Sequence, residues 1–411
     1  MKKIFLITSE FPFGKSETFL ETEIEILSVN FDEIIIFPIN EGEKKRETPK
    51  NCTVITNKKI NKGYLTNILF LFNIISKKKH LIKNEYKNLL PSKNFIKKNK
   101  ILIASLINSL IIKNHIELFF KNKNIKDYLF YSYWCDDSAI ALAMLKEEKK
   151  IDVAIARAHR WDIYFEENKY NYLPLREYIL SKLNQIFPIS ENGKKYIDTH
   201  WKGEIKTTIS RLGVKNQETL CPKSVSDDNS ILIVSCSTTK PVKRINLIID
   251  SLKEIKKFKV NWVHFGDGKE LEDLKKAALC KLPQNISTDW RGSKLNHEIL
   301  EFYQKNNPDI FINVSSSEGI PVSIMEAYSF GIPCIATNVG GTNEIVNNEN
   351  GFLLSPNPKT SEITNAIEML AKMDDIEFNS YKKHAKTTQL NKFSAIDNYN
   401  EFYRIITKNL L

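Results

Sequence analysis

The stretch EGIPVSIMEAYSFGIPCIATNVGGTNEIV, residues 318–346, sets two glutamates, Glu318 and Glu326, around an apolar run. Just before it, DIFINVS (309–315) is short, β-branched and without alternation, as a strand covered on both faces reads. SSSEG then loops away from the carboxyl end of that strand and carries Glu318. Pro321 suits the first position of a helix over PVSIMEAYSF, which stops at Gly331. Glu326 falls roughly one and a half turns in, on the side of Val322 by i,i+4 spacing. PCIATNV supplies the next strand, and Gly340 and Gly341 allow backbone amides near an anion. Strand, helix and parallel strand make a β-α-β unit. Its helix is apolar because it is packed, and the acids are the exceptions. A carboxylate there needs hydrogen bonds, which ligand hydroxyls would supply.

The same rhythm runs back toward the start of the chain. KIFLITS, EIIIFPI, CTVIT, LFYSYW, DVAIARA and QIFPIS precede it as strands separated by helical segments; ILIVSCS, VNWVHFG and ISTDWRG follow a polar break at 214–230. The second half ends near residue 372, and a helical tail closes the chain. Its 411 residues exceed one ordinary core. Two Rossmann-like α/β halves with a cleft between them are expected, with ligands beyond the carboxyl ends of the strands.

Composition narrows the function. An apolar fraction of 42% excludes disorder, and a net charge of +11 attracts phosphates in general. No aromatic-and-basic platform supports a nucleic-acid binder. The six cysteines make no C-x-x-C, so neither a metal site nor a disulfide framework is expected. MKKIFLITSE reads as a first strand rather than a signal peptide. The apolar runs at 64–75 and 101–112 fall short of the roughly 18–20 residues that span a bilayer.

Three further strand ends carry candidate residues. After KIFLITS, Gly14 lies in a strand-to-helix loop, and Thr18 with Glu21 has capping-box spacing. The loop is neither G-x-G-x-x-G nor a P-loop, so a dehydrogenase or nucleoside triphosphatase is not indicated. His159 follows DVAIARA, where an imidazole can donate to a phosphate or a sugar hydroxyl. Lys240, Lys243 and Arg244 follow ILIVSCS at the start of an amphipathic helix, a junction suited to a diphosphate.

Together these blocks resemble the retaining glycosyltransferases of family 4, which have the GT-B fold. FPFGKSETF, ARAHRWDIY, PVKRINLII, HFGDG and above all SSSEGIPVSIMEAYSFGIPCIATNVGGTNEIV carry the likeness; residues 58–127 carry none of it. The resemblance implies an N-terminal acceptor domain (1–215), a C-terminal nucleotide-sugar domain (216–385), and a C-terminal helix (386–411) returning to the first. It implies that Glu318 touches the donor sugar, Glu326 the ribose, and Lys243 with Arg244 the diphosphate. Gly319, Ile320, Pro321 and Val322 complete the donor loop, and Gly14 lets the acceptor side approach the phosphate. His159 sits at the reacting centre, with Ser16, Glu17 and Arg160 toward the acceptor. Thr238 stands where the family often has Arg, and Arg160 where Gly is common.

The implied reaction is hexosyl transfer from a UDP- or GDP-sugar to a hydroxyl, with retention, no metal and no cofactor. The setting would be cell-surface polysaccharide or lipid-linked glycan synthesis. The other readings are a non-catalytic partner subunit and a sugar-nucleotide epimerase. A partner subunit would be expected to have lost a glutamate or the histidine. Localisation is expected to be cytoplasmic, on the inner face of the plasma membrane. The lysine-rich segment 76–100, flanked by apolar runs, suits an anionic membrane surface.

Overall fold

The computed structural model describes residues 2–14, 17–42, 45–55, 79–90, 92–204, 206–218 and 230–409. Two compact units result: Met1–Ser210 together with Tyr399–Leu411, and Arg211–Asn398.

In the first unit, β1 (Lys3–Thr8), β2 (Glu33–Pro38), β3 (Cys52–Val54), β4 (Tyr128–Ser132), β5 (Val153–Ala158) and β6 (Gln185–Pro188) form one sheet. Its order is β3-β2-β1-β4-β5-β6, with every pairing parallel. Alternation within β1 divides the unit into two cores. Ile4 and Leu6 join Leu20, Ile24 and Leu27 on one face. Phe5 and Ile7 join Leu102, Leu106, Leu110 and Ile116 on the other. Because both faces are covered, β4 is buried at every position and shows no polar alternation.

The helix Phe95–Phe119 corrects one sequence expectation. At 25 residues it is long and apolar enough to cross a membrane. Half of its most apolar window is nevertheless buried against the sheet, which accounts for that composition.

The second unit repeats the topology. β7 (Ser230–Cys236), β8 (Lys259–Phe265), β9 (Ile286–Gly292), β10 (Ile310–Asn313), β11 (Cys334–Thr337) and β12 (Gly351–Leu354) order as β12-β11-β10-β7-β8-β9. Ile233, Trp262, Ile312 and Ile335 pack against Ile249, Leu252, Ile363 and Ile367. β9 is an exposed edge whose Asp289 and Arg291 discourage pairing with another chain. β12 escaped the sequence reading, because GFLL is short and opens on glycine.

The tail is two helices, Asp375–Phe393 and Ala395–Asn409. The expected boundary at 386 shifts to 399, since Lys386 donates to the Gln217 and Ser329 carbonyls and Gln389 Nε2 to Asn216 Oδ1 at 2.9 Å. From Tyr399 onward the helix packs on the first unit. Phe402 meets Tyr131 at 5.3 Å and Phe187 at 4.9 Å between ring centres. Of the polar break at 214–230, residues 219–229 lie outside the described residues.

Candidate active site

In a doubly wound sheet, the strand order reverses at one point, and the loops on either side of it diverge to leave room for a ligand. In the second unit that point lies between β7 and β10. The loops after these two strands are joined: Ser316 N–H donates to the Val242 carbonyl at 2.8 Å. That contact brings Lys243 and Glu318 together, 75 residues apart in sequence. Lys243 Nζ donates to Glu318 Oε1 at 2.6 Å, and Asn313 Nδ2 to the same oxygen at 3.3 Å. The two expected ligand-binding residues therefore pair with each other. Their side chains are 23% and 11% exposed, so the pair sits at the edge of the site, within reach of solvent.

Arg244 takes a different place from the one expected. It adopts a left-handed conformation with φ of 50°. Its N–H groups donate to the carbonyls of Val314 (2.6 Å), Ser315 (2.8 Å) and Pro356 (3.0 Å) and to Asn357 Oδ1 (3.2 Å). Four of its donors are thus used to tie the loop after β10 to the segment after β12. Lys243 keeps its bond to Glu318.

The glycine pair also acts differently from expectation. Gly340 has φ of +54°, and a Cβ there would lie 1.8 Å from the Glu318 carbonyl oxygen. Gly341 N–H donates to the Gly319 carbonyl at 2.8 Å. These glycines let one backbone press on another, and so set the loop that carries Glu318. Ile320 is buried beside them, and Pro321 caps the helix Val322–Ser329 rather than opening it. That helix ends as read, with Gly331 at φ of +71°.

Glu326 is buried on this helix. Asn296 Nδ2 donates to its Oε1 at 2.5 Å, and burial pushes its carboxyl from the ordinary 4.5 up to about 7. This is a carboxylate short of hydrogen-bond donors.

In the first unit, the reversal lies between β1 and β4. Gly14, after β1, has φ of +66°, and the Glu10 carboxyl occupies the space where its side chain would stand, 2.5 Å from an ideal Cβ. Thr18 makes no side-chain cap, and Glu21 instead accepts from Arg46 at 2.8 Å, so the capping box does not form. Glu17, expected on the acceptor side, is buried and accepts four bonds. These come from the Ser9, Glu10 and Phe11 amides (2.9, 2.8 and 2.7 Å) and from Trp134 Nε1 (2.6 Å). It clamps the loop and orients the indole. Arg160 pairs with Glu167. Ser16 lies outside the described residues.

His159, after β5, is 6% exposed, and neither ring nitrogen has a hydrogen-bond partner among the described residues. Trp134 and Tyr133 enclose the ring at 4.3 and 5.0 Å between ring centres. Asp162 fixes the backbone beneath, accepting from the His159 and Cys135 amides at 2.5 and 2.7 Å. Nδ1 lies 3.9 Å from Asp162 Oδ2, so the ring is enclosed by its neighbours and short of hydrogen bonds. Sequence reasoning missed Asn313, Asn296 and Trp134. Asn313 and Trp134 stand at ends of recognised strands, where they were legible by position, whereas Asn296 offered no local signal.

Residues 216–388 match the family described as Glycosyl transferases group 1. Among curated proteins, the chain is 28% identical over 221 residues to the UDP-Gal:alpha-D-GlcNAc-diphosphoundecaprenol alpha-1,3-galactosyltransferase of Escherichia coli, covering 51% of this chain and 50% of that one. It is 27% identical over 245 residues to the O-antigen biosynthesis glycosyltransferase WbnH of Escherichia coli, covering 55% and 64%. The match thus spans from half to under two thirds of these relatives. Among solved structures, HepE of Anabaena in complex with UDP and glucose aligns over 99% of this chain and 100% of its own, with a TM-score of 0.69 at 15% identity. At that identity the likeness concerns the fold, two α/β units of this topology.

Proposed function

We propose that this chain, whose residues 216–388 belong to the group 1 glycosyl transferases, moves a hexose from a UDP- or GDP-sugar to a hydroxyl acceptor in the synthesis of a cell-surface or lipid-linked glycan. The observation that carries the reading is the Lys243–Glu318 pair at the strand reversal of the second unit, with Glu326 nearby in sequence on the following helix. Lys243 exchanges Glu318 for the donor diphosphate, and the released carboxylate accepts from the sugar hydroxyls. Glu326 accepts from the ribose. The acceptor oxygen bonds to the anomeric carbon as the bond from that carbon to the diphosphate oxygen breaks. The hydroxyl proton leaves with the diphosphate, so attack is from the leaving-group face and configuration is retained. Lys243 and loop amides stabilise the charge that develops, a task for which preorganised donors are effective. His159 donates to or accepts from the donor sugar near that carbon.

The test is turnover of UDP- and GDP-hexoses with the anomeric configuration of the product read by NMR. An inverted linkage overturns retention. Activity abolished by EDTA and restored by a divalent cation overturns independence from metal.

A feature of the first unit supports a place of work at a membrane surface. Leu90, Ile96 and Ile103 are 64%, 71% and 38% exposed on and before the helix Phe95–Phe119, interleaved with exposed Lys93, Lys97 and Lys100. Apolar side chains among lysines suit the interface of an anionic leaflet, each cation contributing about 1 kcal/mol. Lys77 and Lys78 of the same basic segment lie outside the described residues. Peripheral binding at the cytoplasmic leaflet is the expected outcome. Co-sedimentation with vesicles containing phosphatidylglycerol should fall with salt and with Lys93, Lys97 and Lys100 changed to Glu. A wild-type chain left in the supernatant at low salt removes the membrane role.

A further inference from the structure

We propose that His264 is a positioning residue for the nucleotide donor: its Nε2–H takes the Ser237 carbonyl and so seats the loop that ends at Lys243; this rests on the donor reading above. His264 stands near the carboxyl end of β8 and is 1% exposed. Trp262 and Trp290 lie edge-on to its ring, at 6.2 and 5.4 Å between ring centres.

The partners of the ring decide where its proton sits. Burial pushes the imidazole down to about 4, against a smaller opposite pull from the Ser237 backbone, so the ring is neutral at neutral pH. A neutral imidazole carries one proton, on the nitrogen its partners leave to donate. Trp262 Nε1 can only donate, and it donates to Ser235 Oγ at 2.9 Å. Among the described residues the Ser235 hydroxyl has one acceptor for its own proton, His264 Nδ1 at 2.8 Å. Nδ1 therefore accepts, and the ring proton is on Nε2.

That N–H is a buried donor with no hydrogen-bond partner among the described residues, and such a group is costly to leave unpaired. Nε2 and the Ser237 carbonyl oxygen border one point: they lie 3.2 and 1.7 Å from the place where Gly266 would carry a Cβ. Gly266, with φ of +144°, leaves that point open. Ser237 begins the loop after β7. Its N–H donates to the Phe265 carbonyl at 2.9 Å, and Thr239 N–H donates to the Asp267 carbonyl at 3.0 Å, so this loop is laid along the one after β8. Further on, Lys243 N–H donates to the Lys240 carbonyl at 2.8 Å, and the side chain reaches Glu318. When a diphosphate takes Lys243 from Glu318, the loop settles onto Nε2–H. The bond gained there favours the bound arrangement over the free one.

The test uses the full chain, with calorimetry against UDP and GDP and with nitrogen NMR of ring-labelled histidine to read the tautomer. His264 should show the Nε2–H form, and Ser235→Ala should move it toward Nδ1–H. His264→Leu should weaken the better-bound nucleotide roughly fivefold or more. Its melting temperature should hold or rise, because leucine brings no unpaired polar group into that core. His264→Gln, which returns an N–H near the place of Nε2, should recover affinity to within about twofold of the wild type. In a chain already carrying Lys243→Ala, His264→Leu should change affinity less than about twofold, since the two act through one loop. A wild-type ring in the Nδ1–H form overturns the proposal. So does affinity that falls only in step with melting temperature, or a glutamine variant no better than leucine. A chain that binds nucleotide and is indifferent to His264→Leu overturns this inference alone. One that binds neither UDP nor GDP overturns the donor reading and this role with it.

Discussion

Lys243 and Arg244 are neighbours of the same charge, and the structure gives them different work. Lys243 has one carboxylate partner that a diphosphate can replace. Arg244 spends its guanidinium on carbonyls of its own unit. Lys243→Ala is therefore expected to weaken UDP binding at least tenfold in calorimetry, with little change in melting temperature. Arg244→Ala is expected to do the reverse, lowering stability on the order of 2 kcal/mol, because charge-assisted bonds to carbonyls are lost. His159→Ala and Glu318→Ala should each reduce turnover at least a hundredfold, roughly 3 kcal/mol of barrier, while circular dichroism stays unchanged. Near-normal turnover of either variant would remove that residue from the reacting centre.

Glu326 adds a pH dependence. Its carboxyl titrates near 7 when folded against an ordinary 4.5, so folding favours the protonated form. Its contribution to stability is complete below about 4.5 and is lost as pH rises through 7. On the proposed donor reading, ribose recognition would run the opposite way, since the ionised carboxylate accepts two hydroxyl bonds and the acid fewer. UDP affinity should rise between pH 6 and 8, and Glu326→Gln should flatten that rise. A flat wild-type profile would detach Glu326 from the nucleotide.

At the scale of elements, the loop after β10 owes its course to glycines of the loop after β11. A methyl at Gly340 would overlap the Glu318 carbonyl, so the loop bearing that carboxylate must move. Gly340→Ala is expected to lower both stability and UDP affinity. Gly292 is the control: its φ is +63°, yet nothing lies within 4 Å of an added Cβ. Gly292→Ala should cost about 1 kcal/mol of left-handed strain and leave UDP affinity as it was. Equal loss of affinity in both variants would mean that the contact between the loops is irrelevant. The strand-to-helix motif around 318–331 was legible because strand, cap and stop signals are local. The clamp by Arg244 was not, because its partners come from 70 and 112 residues away.

At the scale of the molecule, each unit stands on its own core, and the last helix belongs to the first. Arg157 ties the returning segment into the first unit. Fully buried, it pairs with Glu23 at 3.0 Å, donates to the Ser210 carbonyl at 2.8 Å, and lies 4.7 Å from the centre of the Phe402 ring. Ser210 is where the chain leaves the unit and Phe402 is in the segment that returns to it. Glu23→Ala should destabilise the first unit by about 3–5 kcal/mol, because it strands a buried cation. Glu23→Leu combined with Arg157→Met should recover most of that in urea unfolding. A single variant as stable as the wild type would show that the pair is not isolated from water.

What the sequence determined by itself was the class of fold and the strand ends at which chemistry is sought. Buried parallel strands are continuous apolar runs, and Gly, Pro and acids stand out against them within a few residues. Eleven of the twelve strands among the described residues were readable on that basis, along with His159, Lys243, Glu318 and Glu326. Only the tertiary structure decided what each polar group meets. It paired Lys243 with Glu318, withdrew Arg244 and Glu17 into clamps, and set Trp134 against His159. Those outcomes depend on which strands become neighbours across the reversal of the sheet, and side-chain partners fixed by such long-range adjacency leave no trace in local pattern.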